Sequence, residues 1–199
     1  MGIIAALSEN PWTFHYLRKI PEFNYRQTKS RIRQYLDSNL PVLDLGCGTA
    51  EFCRCFSPAG YLGVDVSAKY LAYAKRRCPE YAFALGSGAA LCLPSQSFPQ
   101  ALINGVIHHL DEGLAVKLLS ETHRVLKEDG KLLLIEDIES DASGFMDKLI
   151  HALDMGDHIR EQGEYKRLVS RLFKIEESHA YYSGRCHYGL WLLRKKKKS

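Results

Sequence analysis

Val42-Leu43-Asp44-Leu45-Gly46-Cys47-Gly48-Thr49-Ala50 decides the reading of this chain. An apolar strand carries one acid, then meets two glycines and runs straight into the predicted start of a helix. About twenty residues on, a second apolar run, Tyr61-Leu62-Gly63-Val64, ends on Asp65. Strand, glycine loop, helix, strand and acid in that order form a crevice for an adenosine-containing cofactor at the carboxyl ends of parallel strands.

The glycines have a physical purpose. With no side chain at Gly46 and Gly48 the backbone can turn sharply and approach a ligand closely, and the N–H groups of a following helix would favour a carboxylate. A dinucleotide fingerprint needs a third glycine where Glu51 stands, so that pattern fails. The acid two residues before the first glycine points instead to S-adenosylmethionine, whose amine Asp44 can help hold and whose ribose hydroxyls Asp65 can bind.

Outward from this core, apolar runs alternate with helical patterns, as in a parallel sheet covered on both faces. Strands are predicted over 41–45, 61–65, 81–85, 101–104 and 131–135. Ser67 reads as the N-cap of a helix over 68–77 that stops before Pro79. A helix over 114–126 is read as ending at Gly130. Residues 145–172 read as helical in two pieces broken near Gly156, and strand-like runs over 173–182 and 188–193 give the sheet an antiparallel finish. The expected fold is an α/β Rossmann-like three-layer sandwich with a mostly parallel seven-stranded sheet.

At 199 residues and 46% hydrophobic the chain suits one domain. Residues 1–39 form a helical cover or lid, 40–193 the core and 194–199 a basic tail. The opening residues match neither a secretory signal nor a myristoylation site, so a cytoplasmic protein is expected. Six cysteines without CxxC spacing read as reduced structural thiols. The net charge of +4 comes from five basic residues at 194–198, leaving a nearly neutral body with no nucleic-acid footprint. That tail reads as solvated, the alternative being weak contact with an anionic membrane surface or RNA.

With these motifs in place, the chain resembles a class I S-adenosylmethionine-dependent methyltransferase of the small-molecule type. Leu91 to Phe98, the segment Asn104-Gly105-Val106-Ile107-His108-His109-Leu110, and Glu121 to Lys131 extend the resemblance through the core. It implies that Asp44, Leu45, Gly46, Cys47 and Gly48 hold the methionine end of the cofactor and Asp65 the ribose. It implies further that Val66 packs on the adenine, that Ser87 and Gly88 lie at the adenine edge, and that Asn104 sits where sulfonium and acceptor meet. Three positions depart from the family pattern. Ala50 replaces a glycine and is tolerable with helical dihedrals, Ser87 replaces an acid, and Pro99 replaces an acid before strand four.

Methyl transfer from a sulfonium needs orientation and desolvation above all, with a general base only where the acceptor must lose a proton. His108 and His109 follow strand four and are candidate bases, of which at most one can point inward. Their alternative is a structural or capping role. Asp147, His151, Asp154 and His158 share one helical stripe that reads as a solvated face rather than a metal site. From this segment Asp154, His158 and Arg160 are assigned to the acceptor pocket, with His158 as a third catalytic candidate. The sequence supports methylation of a small or lipid-like acceptor at oxygen or carbon, with no metal. Its rivals are an RNA methyltransferase and a non-catalytic S-adenosylmethionine-binding protein.

Overall fold

The computed structural model describes residues 25–138, 158–184 and 186–196. Seven strands form one sheet: β1 (Val42–Leu45), β2 (Tyr61–Asp65), β3 (Ala82–Leu85), β4 (Phe98–Asn104), β5 (Leu126–Asp137), β6 (Phe173–Ser183) and β7 (Cys186–Lys195). Their order is β3-β2-β1-β4-β5-β7-β6. Pairing is parallel from β3 through β5, and β7 runs antiparallel to both β5 and β6. The tight link between β6 and β7 forces that reversal, because a parallel neighbour would need a crossover. The Rossmann-like architecture expected from the sequence is the one observed.

Side-chain alternation along β1 divides the core. Val42 joins a cluster on one face with Ile32 and Tyr35 of α1 (Arg26–Tyr35) and Ala74 of α2 (Ala68–Arg77). Leu43 and Leu45 join the opposite cluster, with Leu118 and Leu119 of α3 (Glu112–Val125) and Tyr165 and Val169 of α4 (Gln162–Ser170). Buried on both sides, the central strands read as the apolar runs that parallel sheets require. The order in which strands are added to the sheet reverses between the parallel β1 and β4, and the crevice outside their carboxyl ends is where such folds bind ligands.

Ser67 caps α2 as predicted, its hydroxyl accepting the Tyr70 N–H at 3.3 Å. Ser67→Ala should cost about 1 kcal/mol, read as a lower midpoint in thermal melts without loss of fold.

Three expectations change. Residues 50–60 form two short 3-10 turns, Cys53–Cys55 and Pro58–Gly60, in place of the helix expected after the glycine loop. Ala50 has φ +60°, left-handed rather than helical, so the turn begun at Gly46 and Gly48 continues through it. Gly130 does not end a helix: α3 stops at Val125 and β5 begins at once. Phe98 pairs with Leu126 and Gln100 with Lys131, so residues 127–130 bulge out of the ladder around Gly130.

The strand β7 also runs two residues beyond Leu193. Arg194 pairs with Glu176 at 2.9 Å, and the Lys195 ammonium donates to the Leu126 carbonyl. The cover expected over 1–39 is described only from Tyr25, where α1 packs on the sheet. Five of the six free cysteines are buried, with the Cys53 and Cys78 sulfurs 3.4 Å apart.

Candidate active site

A cavity of about 490 Å3 opens at the switch point, within the range of roughly 300–1,000 Å3 usual for small-molecule sites. The glycine loop, the end of β2, the Gly86-Ser87-Gly88 turn and the segment after β4 form its walls. Gly46 at φ +71° lies against Val106, where a Cβ would come within 2.4 Å of a methyl group. Gly48 at φ +52° is different: a Cβ there would meet nothing within 4 Å. Its bare Cα fronts open cavity, as a backbone shaped for close ligand approach should.

Asp65 organises this loop. One carboxylate oxygen accepts the Gly48 N–H and the other the Ser67 N–H, both at 2.8 Å. Each oxygen keeps a further acceptor site, and Asp65 lines the cavity. Beside it Val66 is 74% exposed and lines the mouth, a large apolar side chain left for a ligand to cover. Ser87 and Gly88 line the same wall, and the Ser87 hydroxyl accepts the Ala89 N–H at 3.2 Å.

Asp44 is not on the wall. Strand alternation turns it beneath the loop, where it is 2% exposed and accepts the Tyr61 hydroxyl at 2.6 Å. Burial drives its carboxyl up to about 7, against the Tyr61 hydrogen bond and reinforced by the charge on Asp65. The same burial pushes the Tyr61 phenol and the Cys47 thiol up.

The acid that does reach the cavity beside the loop is Glu51, which the sequence reading passed over. The left-handed turn at Ala50 carries it there, and Lys29 of α1 pairs with its carboxylate while Arg77 lies 3.8 Å away. Tyr25 closes the same corner, edge-on to Phe52 at 5.4 Å between ring centres.

The two histidines separate. His108 is fully buried, its Nδ1 bonded to Glu136 at 2.8 Å and its Nε2 3.8 Å from Asp137. It therefore has no path to a substrate in the cavity. His109 is exposed and lines the wall beside Leu110 and Leu114, its ring 4.1 Å from that of His108. Asn104, at the end of β4, presents a buried Oδ1 that no described group bonds.

His158 is exposed and off the wall, donating its backbone N–H to the His108 carbonyl. Arg160 lies behind the wall, with its guanidinium on the carbonyls of Ile107 and Leu110 at 2.9 and 2.7 Å. Asp154, with Asp147 and His151, lies outside the described residues.

Residues 42–130 match the Methyltransferase domain family. The chain is 30% identical over 121 residues to the ubiquinone/menaquinone biosynthesis C-methyltransferase UbiE of Campylobacter jejuni, covering 56% of this chain and 51% of that protein. It is 30% identical over 125 residues to a probable tRNA methyltransferase 9B of Bos taurus, covering 60% of this chain and 27% of that one. The chain thus spans about half or less of these curated relatives.

Among solved structures it superposes on a SAM-dependent methyltransferase of Methanosarcina mazei at TM-score 0.70 and 16% identity, over 84% of this chain and 98% of the other. It superposes on the geranyl diphosphate C-methyltransferase of Streptomyces coelicolor A3(2) at TM-score 0.69 and 17% identity, over 85% and 76%. Residues 42–130 thus resemble a methyltransferase domain, and the chain has the fold of these solved methyltransferases.

Proposed function

We propose that the cavity binds S-adenosylmethionine and that the chain transfers its methyl group to a small, largely apolar acceptor at carbon or oxygen. The observation that carries this reading is the composition of the wall beyond Asn104, where Val106, Leu110 and Leu114 line the cavity with His109, the one imidazole among the described lining residues. A carbon or oxygen acceptor also fits the relatives named for C-methylation of quinone precursors and of geranyl diphosphate.

When bound, the cofactor supplies an electrophilic methyl on a sulfonium. The protein's part is to hold and align. Asp65 accepts the two ribose hydroxyls, and Val66 covers the adenine. The bare face of Gly48 admits the methionine backbone. Glu51 rather than Asp44 faces its ammonium, since Glu51 is on the wall and Asp44 is behind it. Lys29 pairs with Glu51 from behind the wall and holds its carboxylate in place. Asn104 Oδ1 orients the reacting centre, and His109 takes a proton from an acceptor that must lose one. The apolar wall excludes water from the transfer.

The RNA reading has less to stand on. Its anchor was to be the terminal basic run, yet Arg194, Lys195 and Lys196 all bond to the body, Lys196 donating to the Ser170 carbonyl.

Calorimetry should show S-adenosylhomocysteine binding in the micromolar range, and methyl-labelled cofactor should mark an apolar fraction of a cell extract. His109→Ala should keep that binding and slow labelling at least tenfold. Label appearing in RNA alone would replace the acceptor class, and binding without any label would favour a non-catalytic role.

A further inference from the structure

The turn that carries the acceptor-side wall, Val106 to Leu110, is held at both ends by opposite charges. At its amino end Glu136 of β5, fully buried, collects four donors. Its Oε1 accepts the N–H groups of Val106 and Ile107 at 3.0 and 2.7 Å, and its Oε2 lies 3.4 Å from the His108 N–H and 2.8 Å from the His108 ring. At the carboxyl end Arg160 donates to the carbonyls of Ile107 and Leu110.

The rest of the backbone is also occupied. His109 N–H bonds the Val106 carbonyl, Leu110 N–H the Ile107 carbonyl, and His158 N–H the His108 carbonyl. Every backbone N–H from Val106 to Leu110 is thus taken. A negative group at the donor end and a positive one at the acceptor end match the polarity of a helical turn. A three-residue 3-10 turn has too few internal bonds to hold itself.

We propose that Glu136 and Arg160 act as a two-ended clamp, positioning residues that fix His109 relative to the sulfonium. The carboxylate is too deep to meet a substrate, and the guanidinium is turned to the backbone, so neither is a catalytic residue. The clamp also registers the chain beyond β5. Ile138, the residue after the strand, forms a parallel bridge with Arg160, which sets the end of β5 beside this one turn.

This inference deepens the methyltransferase reading and rests on it. Hydrogen exchange and S-adenosylhomocysteine calorimetry on the full chain separate the two. In Glu136→Gln one oxygen is replaced by an amide donor facing the turn's own donors, and in Arg160→Met both carbonyls lose the guanidinium. Amides of 105–110 should then exchange at least tenfold faster while those of β1 and β2 keep their protection, and S-adenosylhomocysteine binding should weaken by no more than about fivefold.

Arg160→Lys can reach one carbonyl, not two, and should fall between. With the acceptor fraction labelled by the wild type, kcat should drop about tenfold with KM for the cofactor nearly unchanged, and Arg160→Lys should recover part of it. Exchange that is unchanged at 105–110, or raised equally across the sheet, would overturn the clamp. A wild type that binds no S-adenosylhomocysteine would overturn the cofactor reading while leaving the exchange result to judge the clamp.

Discussion

Asp65→Ala is expected to weaken S-adenosylhomocysteine binding by more than a hundredfold in calorimetry. The side chain does two things at once. On the protein side it accepts the Gly48 and Ser67 N–H groups at 2.8 Å, so truncation releases the loop whose bare glycine fronts the cavity. On the ligand side it offers acceptors to two hydroxyls, and hydrogen bonds to a charged group contribute roughly 1.5–3 kcal/mol each. Losing both, with the loop disordered besides, removes about 3 kcal/mol or more.

Asp65→Asn isolates the parts. It keeps the size and one acceptor oxygen, so the loop stays largely held and affinity should fall by roughly tenfold. Equal affinities for wild type and Asp65→Ala would place the ribose elsewhere and take the cofactor assignment of this loop with it.

The loop and sheet were legible in the sequence because they obey local rules. An apolar run ending in glycines, then a second run ending in an acid, leaves few alternatives at the switch point, and Ser67 before a helical pattern is a cap wherever it occurs. What failed depended on partners distant in sequence. Lys127 to Gly130 follow a helical pattern and look like its end, but pairing of Phe98 with Leu126 pulls the chain into the sheet first. The expectation of a helix after Gly48 rested on the strand-and-glycine-loop pattern, and the left-handed Ala50 breaks it.

The site was half legible for the same reason. That only one of His108 and His109 could face inward follows from adjacency. Which one does is decided by Glu136, an acid at the end of an apolar strand twenty-eight residues away. Arg160 was placed at the acceptor pocket by its position after β5, yet its guanidinium serves carbonyls some fifty residues earlier in the chain. Alternation in β1 already carried the warning about Asp44, since it shares a face with Val42 and not with the loop's cavity side.

Asp44 supplies the other large expected effect, on stability. Its carboxyl titrates near 7 in the folded protein, mainly because burial penalises the charge, and near its ordinary value of 3.8 once unfolded. The folded state therefore holds a proton that the unfolded chain has released, and stability falls as pH rises between those two values. The loss amounts to roughly 4 kcal/mol and is complete above about pH 7. In Asp44→Asn the amide oxygen can still accept the Tyr61 hydroxyl and no charge is buried, so this limb should vanish.

Urea melts of wild type and Asp44→Asn should accordingly diverge between about pH 4 and 7, the variant gaining relative stability at the alkaline end, and run parallel above that. Parallel profiles would mean that Asp44 is charged and compensated in the fold. The same variant decides which acid meets the cofactor. With Glu51 on the wall, Asp44→Asn should change S-adenosylhomocysteine affinity by no more than about threefold, whereas Glu51→Gln should lose about tenfold. The reverse ranking would mean that the loop opens far enough on binding for the ammonium to reach the buried acid, and Asp44 would then be a ligand whose proton is released as the cofactor enters.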